Sequence, residues 1–318
     1  MSDTVMELLS TKQELQAALK EARAAGARIG LAPTMGALHA GHGALIAAAR
    51  RACDFVVVTV FVNPTQFAAG EDLERYPRDL AGDADFVRAA GAQLLFAPSV
   101  EELYGTVTEP LSRTSLDVGE LGRIWEGALR PTHFAGVALV VTKLLSLVRP
   151  DCAFFGEKDY QQLCVLRQLV HDLDVATEIV GVPTVREPDG LAYSSRNRYL
   201  DPDARAQAAV IPAALAAPQQ AAASGERDAR ALEDAARRVL EGENAATGRG
   251  RFRIEIGYCA LVDPDTLRPI AVLERPARLL ISVTLAGVHL IDNAEIRPEC
   301  DNSSDLCLHL PAERADGS

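Results

Sequence analysis

Short apolar runs alternate with helix-length stretches through the first half of the chain, and no other feature constrains the fold as tightly. Runs at residues 28–32, 55–62, 93–97, 152–155 and 176–182 have the β-branched and aromatic character of buried strands. Residues 5–25, 43–52, 79–90, 134–147 and 160–171 carry helical spacing. Parallel strands need a crossover connection, and helices between strands supply it. The expectation is an α/β domain with a doubly wound parallel sheet, whose ligand site lies at the carboxyl ends of the strands.

The alternation stops near GVPTVREPDG, residues 181–190, where two prolines and several charges mark a domain boundary. Residues 203–242 are rich in Ala, Arg and Glu with helical spacing. Strand-like runs follow at 252–262, 279–285 and 288–291, which makes a smaller α+β domain. We therefore expect residues 1–185 and 186–297 to form two domains, and the polar tail 298–318 to be flexible.

The formal net charge of −12 is spread along all 318 residues, so nucleic acid would meet general repulsion and a small-molecule substrate is favoured. The opening MSDTVMELLS has an acid where a secretory leader carries positive charge, and it lacks a long apolar stretch. The apolar run at 134–148 is broken by Lys143 and is short for a membrane span. A cytoplasmic chain with no membrane segment is expected. Cys53, Cys152, Cys164, Cys259, Cys300 and Cys307 show no metal-ligand or redox spacing, which predicts reduced thiols.

Four segments carry chemistry. In PTMGALHAGH, Pro33 to His42, a strand ends and a helix opens, so free N–H groups and two imidazoles three residues apart face an anion. With 6 His and 23 Gly in the chain, HxGH is expected about 0.01 times by chance. The same letters also read as a Gly-rich turn with surface histidines. In FVNPTQF, Asn63 and Gln66 are amides at a strand end that can orient a polar substrate, although Asn-Pro also simply starts a turn. In FFGEKDYQQ, Lys158 can neutralise a phosphate, and Gln162 lies three residues beyond Asp159 on the same helix face; a capping Asp beside a solvated Lys is the alternative. Ser194, Ser195 and Arg196, in SSRNR beside the boundary, suit a lid over a triphosphate or a polar linker.

Outside these, Asp79, Asp83 and Asp85 could hold magnesium or form a solvated helix face. Of the three, Asp83 is the candidate. RPTH, ending at His133, could bring a cation or imidazole to the cleft, whereas His171, His289 and His309 stand without company in the sequence.

Taken together, PTMGALHAGH, FVNPTQF, RYPRD, RPTHFAGV, FGEKDYQQL, DGLAYSSRNRYL and the late LIDN resemble the pantothenate synthetase (pantoate-β-alanine ligase) family, in the family's order. The resemblance implies a cytoplasmic homodimer of the HxGH nucleotidyltransferase superfamily, with a Rossmann-like N-terminal domain and a smaller C-terminal lid. It implies activation of pantoate by ATP to pantoyl adenylate, with magnesium, then displacement of AMP by β-alanine.

Position by position, the resemblance sets ATP against Met35, Gly36, Ala37 and Leu38, then His39, Ala40, Gly41 and His42. His42 would be the proton donor and His39 would sit beside the phosphates. Gly156, Glu157, Lys158 and Asp159, with Val185, Tyr193, Ser194, Ser195 and Arg196, would complete the ATP site. Gln66 and Gln162 would hold pantoate, with Asn63 alongside and Gln66 also near β-alanine. Lys158 and Arg196 join the two histidines as catalytic candidates. Thr65, Gly82 and Tyr193 depart from the family pattern.

Overall fold

The structure, a computed structural model, describes residues 6–68, 70–105, 114–246 and 252–298. The chain runs β1 (Glu7–Leu9), α1 (Lys12–Ala24), β2 (Ile29–Thr34), α2 (Ala40–Ala52), β3 (Phe55–Val60), α3 (Leu80–Ala90), β4 (Leu94–Phe96) and α4 (Val100–Tyr104). It continues through α5 (Glu126–Leu129), α6 (His133–Val148), β5 (Cys152–Gly156), α7 (Tyr160–Asp172) and β6 (Glu178–Val182). These six strands form one parallel sheet in the order β1-β4-β3-β2-β5-β6.

One expectation fails at the start, where residues 5–25 read as a single helix. Thr11 interrupts it: its hydroxyl accepts from the Glu14 N–H at 3.2 Å, and the Glu14 carboxylate accepts from the Thr11 N–H at 3.0 Å. That reciprocal cap starts the helix at Lys12 and frees Glu7–Leu9 to pair with β4 at the sheet edge.

Each central strand feeds two helical layers because successive side chains alternate faces. Leu31, Val57, Phe96 and Phe155 pack with Leu15 and Leu19 of α1, Val141 and Leu144 of α6, and Leu166 of α7. Their neighbours Ala32, Val58, Leu95 and Phe154 pack with Ile46 of α2 and Val87 of α3 on the other side. Burying each large apolar side chain contributes about 1.5–3 kcal/mol, so both layers are strongly held.

Beyond residue 186 the helices α8 (Pro202–Gln207), α9 (Val210–Ala223) and α10 (Ala229–Ala246) precede β7 (Glu255–Val262), β8 (Ala277–Leu285) and β9 (Val288–Ile296). The three strands make an antiparallel sheet, with β9 five residues longer at its end than the 288–291 run suggests. Leu279, Ile281 and Val283 face the helices, whereas Leu280 joins Tyr160 and Cys164 of α7. The small sheet is thus packed onto the large one through α7. Among the described residues no helix is long and apolar enough to cross a membrane. Cys53, Cys152, Cys164 and Cys259 are free and buried; Cys300, Cys307, His309 and the tail from residue 299 lie outside the described residues.

Candidate active site

β2 and β5 are adjacent, yet the chain winds outward from them in opposite directions, so the crevice at their carboxyl ends is the switch point of the sheet. Met35, Gly36, Ala37 and Leu38 leave β2 through a turn with positive φ at Gly36 (83°) and Ala37 (53°). A left-handed Ala costs about 1–2 kcal/mol and needs outside support. Asp83 supplies it from α3: its carboxylate accepts from the Ala37 N–H at 3.0 Å and the Leu38 N–H at 2.8 Å. A Cβ at Gly36 would lie 2.7 Å from that carboxylate, which is why glycine stands there.

This corrects the magnesium assignment. Asp83 is buried with both oxygens bound to backbone, Asp79 caps α3 through the Gly82 N–H, and Asp85 pairs with Arg88 at the surface. The three acids do not converge, and among the described residues no group of three His, Cys, Asp or Glu could hold a metal ion. A Cβ at Gly82 would lie 2.5 Å from the Asp79 carboxylate, so a larger residue there would have to displace the capping side chain.

The two histidines cap α2 reciprocally. Nδ1 of His39 accepts from the Gly41 N–H at 3.2 Å, and Nδ1 of His42 accepts from the His39 N–H at 3.2 Å. With Nδ1 occupied as an acceptor in each ring, the proton sits on Nε2. Burial, then the Lys158 and Arg198 charges, push the His39 pKa down to about 4. Burial and then His39 push His42 down to about 3. At these values both rings are neutral at physiological pH, each with an Nε2–H that can donate. Tyr193, one of the departures, stacks on His39 with ring centres 5.9 Å apart.

Across the crevice, β5 ends in the turn Glu157–Asp159, where Lys158 Nζ lies 3.2 Å from the Asp159 carboxylate. Ser194 caps the following turn by accepting from the Arg196 N–H at 3.3 Å, and Ser195 meets Tyr76 at 3.1 Å. Arg196 grips Asp72 with two bonds of 3.1 Å. Burial disfavours its charge, but the Asp72 bonds outweigh this and raise its pKa. One cavity collects Met35, His39, Gly41, His42, Gly156, Lys158, Asp159, Val185, Tyr193, Ser194, Ser195 and Arg196. Of the expected ATP residues, Gly36, Ala37, Leu38, Ala40 and Glu157 do not line it; the first three support its wall from behind.

Gln66 and Gln162 line this cavity and the one next to it, which also receives Lys158 and Arg196. Gln66 is buried, its amide N–H reaching Met35 Sδ at 3.0 Å. Asn63 lines the first of these cavities beside Gln66. Its Oδ1 accepts from Tyr104 Oη, Thr65 Oγ1 and the Thr65 N–H, and its Nδ2 donates to Gln66 Oε1 and the Gly136 carbonyl, both at 3.1 Å. Both side-chain polar atoms of Asn63 thus have partners within the protein, and the Nδ2 bond holds the Gln66 amide in place. Thr65, another departure, is part of that network. Gly136 lets α6 approach, because a Cβ would sit 2.3 Å from the Thr65 carbonyl.

Asp72 and the partner of His289 escaped sequence reasoning, whereas His133 did not. Asp72 precedes RYPRD without any signal of its own. His133 Nδ1 lies 3.1 Å from the Gln66 carbonyl, and burial followed by Arg130 pushes its pKa down to about 4. His289 does have company: Nε2 lies 2.9 and 3.0 Å from the buried Glu126 carboxylate. RPTH points at His133 in the sequence; His289 and Glu126 lie 163 residues apart, where no local pattern exists.

A model of the pantoate-beta-alanine ligase family matches residues 7–295. The chain belongs to the pantoate-β-alanine ligase family. A pantothenate synthetase of Rhizorhabdus wittichii is 49% identical over 294 residues, covering 92% of this chain and 99% of the relative. The crystal structure of the Thermus thermophilus pantothenate synthetase superposes with a TM-score of 0.84 at 46% identity, covering 92% of this chain and all of the other. A Francisella tularensis pantoate-beta-alanine ligase, described as complexed with beta-gamma ATP and beta-alanine, gives a TM-score of 0.73 at 29% identity over 91% of this chain and 97% of its own.

Proposed function

We propose that this crevice performs the ATP-dependent condensation of pantoate with β-alanine to pantothenate, AMP and pyrophosphate, through pantoyl adenylate. The observation that carries the reading is the convergence of His39, His42, Lys158 and Arg196 on one cavity at the switch point. Gln66 and Gln162 adjoin it at the boundary with a second cavity.

In the first step a pantoate carboxylate oxygen attacks the α-phosphorus, and the bond to the bridging oxygen breaks as pyrophosphate departs with the electron pair. No protein nucleophile is needed; the work is alignment and stabilisation of charge on the phosphate oxygens. His39 and His42 offer Nε2–H donors, and Lys158 and Arg196 offer charge. Gln66, fixed by Asn63 and Met35, and Gln162 hold pantoate. In the second step the neutral NH2 group of β-alanine attacks the acyl carbon, AMP leaves with the electron pair of the broken C–O bond, and the nitrogen passes one proton to water or to the departing phosphate, keeping the other as the amide N–H.

Magnesium would enter as the ion bound to ATP, because the Asp83 carboxylate already serves the Ala37 and Leu38 N–H groups. Residues 1–185 act as the ATP- and pantoate-binding domain and 186–297 as the lid, in a cytoplasmic homodimer. Exchange of labelled pyrophosphate into ATP tests the reading: it should require pantoate and proceed without β-alanine. Active, folded protein that lacks this exchange overturns it.

A further inference from the structure

LIDN, the last of the quoted segments, ends in two residues that the reaction above leaves without a task. Both are buried, at 4% exposure each, and both lie on β9. Asn293 Nδ2 donates to the Glu157 and Lys158 carbonyls, each at 2.9 Å. Asp292 accepts from Arg186 through two bonds of 2.7 and 3.1 Å, and the same guanidinium reaches the Asn293 carbonyl at 3.3 Å. Arg186 also donates to the Gly190 carbonyl and bridges to Ala192, so it braces the loop that runs into Tyr193, Ser194 and Arg196.

We infer that the Asp292–Asn293 step is a positioning device that sets Lys158 and Arg196 at a fixed separation, one arm on each cation-bearing loop. The two loops come from different strands of the large sheet and share no direct bond to one another among the described residues. β5 and β6 are paired up to Gly156 and Val182, and beyond those residues β9 touches both loops. Arg278 of β8 strengthens the Lys158 arm by stacking over Tyr160 at 4.0 Å, and its guanidinium lies 3.5 Å from Glu157. The small sheet thus works as a gauge for the phosphate site.

The inference rests on the ligase reading, and paired substitution cycles test it through pantoate-dependent pyrophosphate exchange. Asn293→Ala should lower the exchange kcat about 10- to 100-fold, since a displacement near 1 Å costs about 100-fold. In a Lys158→Ala background the same change should add less than about 3-fold, because residues acting as a unit are not additive. Arg186→Lys should likewise lose its effect in an Arg196→Ala background while remaining additive with Lys158→Ala. If Asn293→Ala does not fold, the Arg186→Lys cycles decide. Full additivity in both backgrounds, or no effect of either single change, overturns the inference. Absence of exchange in the unsubstituted protein would instead overturn the ligase reading.

Discussion

In the proposed reaction the two walls of the crevice would meet the same substrate with opposite designs. On the β2 side, His39 and His42 are neutral donors held within one strand–turn–helix unit by four consecutive residues and backed by Asp83. On the other side, Lys158 and Arg196 are cations, each already paired with a carboxylate, Asp159 and Asp72. The neutral wall is preorganised and gives up nothing when ATP arrives. The charged wall has counter-ions that phosphate must share or displace, and its geometry is borrowed from distant segments. Preorganised donors act most strongly where charge develops, whereas ion-paired cations contribute more to binding the charge already present.

The contrast is broken most directly by Lys158→Ala and His42→Ala. Each should lower the rate of pantoate-dependent exchange roughly 100- to 1,000-fold, the usual cost of losing a donor aimed at developing charge. Lys158→Ala should raise the ATP KM as well, and His42→Ala should act chiefly on kcat. Turnover unchanged in both variants would remove the phosphate wall from this crevice.

Arg196→Ala comes next. It should raise the ATP KM roughly 10- to 100-fold, corresponding to the 1.5–3 kcal/mol or so of a charged hydrogen bond, with a smaller fall in kcat. Asp72 is left unpaired in that variant, so Arg196→Ala with Asp72→Asn should recover part of the loss. An unaltered ATP KM would show that Arg196 serves only its partner Asp72.

A smaller effect is expected at the root of the neutral wall. Asp83→Asn replaces one acceptor with an NH2 group facing a backbone N–H, costing about 1–3 kcal/mol of stability by leaving that donor unpaired. The magnesium concentration needed for half-maximal activity should not move. A large shift in it, with unchanged stability in a denaturant melt, would restore Asp83 as a metal ligand.

What the sequence discloses divides along the same line as the two walls. The neutral wall is local: Pro33 to His42 spells out strand end, turn and helix start, and the apolar periods around it mark the parallel strands. The charged wall is legible only as separate cations, because nothing near Lys158 or Arg196 in sequence announces Asp72 or Asn293. Burial likewise hides in the letters. Asp83 looks like a solvated acid beside Asp79 and Asp85 until the positive-φ turn of Gly36 and Ala37 is seen to need its two oxygens. The bonds that tie Asn63 to Tyr104, Gln66 and Gly136 are equally hidden in the letters. The strand Glu7–Leu9 was masked by the helical spacing of the segment that follows Thr11.

The mildest consequence concerns pH and sharpens the description of the neutral wall. With pKa values lowered from 6.5 to about 4 for His39 and about 3 for His42, both rings stay neutral in the folded protein through the mildly acidic range. The unfolded chain takes up those protons near pH 6.5, so below that pH it binds more protons than the native state. Their contribution to stability is present above pH 6.5 and is lost progressively as pH falls towards about 4 and then about 3. Between pH 6.5 and 4, Tm should therefore fall with pH, and a variant with both His39→Asn and His42→Asn should show a flatter slope. NMR titration of the ring protons should place both midpoints well below 6.5. A midpoint near 6.5 for either ring would make that wall cationic in mild acid, and the distinction between the two walls would then hold only above neutral pH.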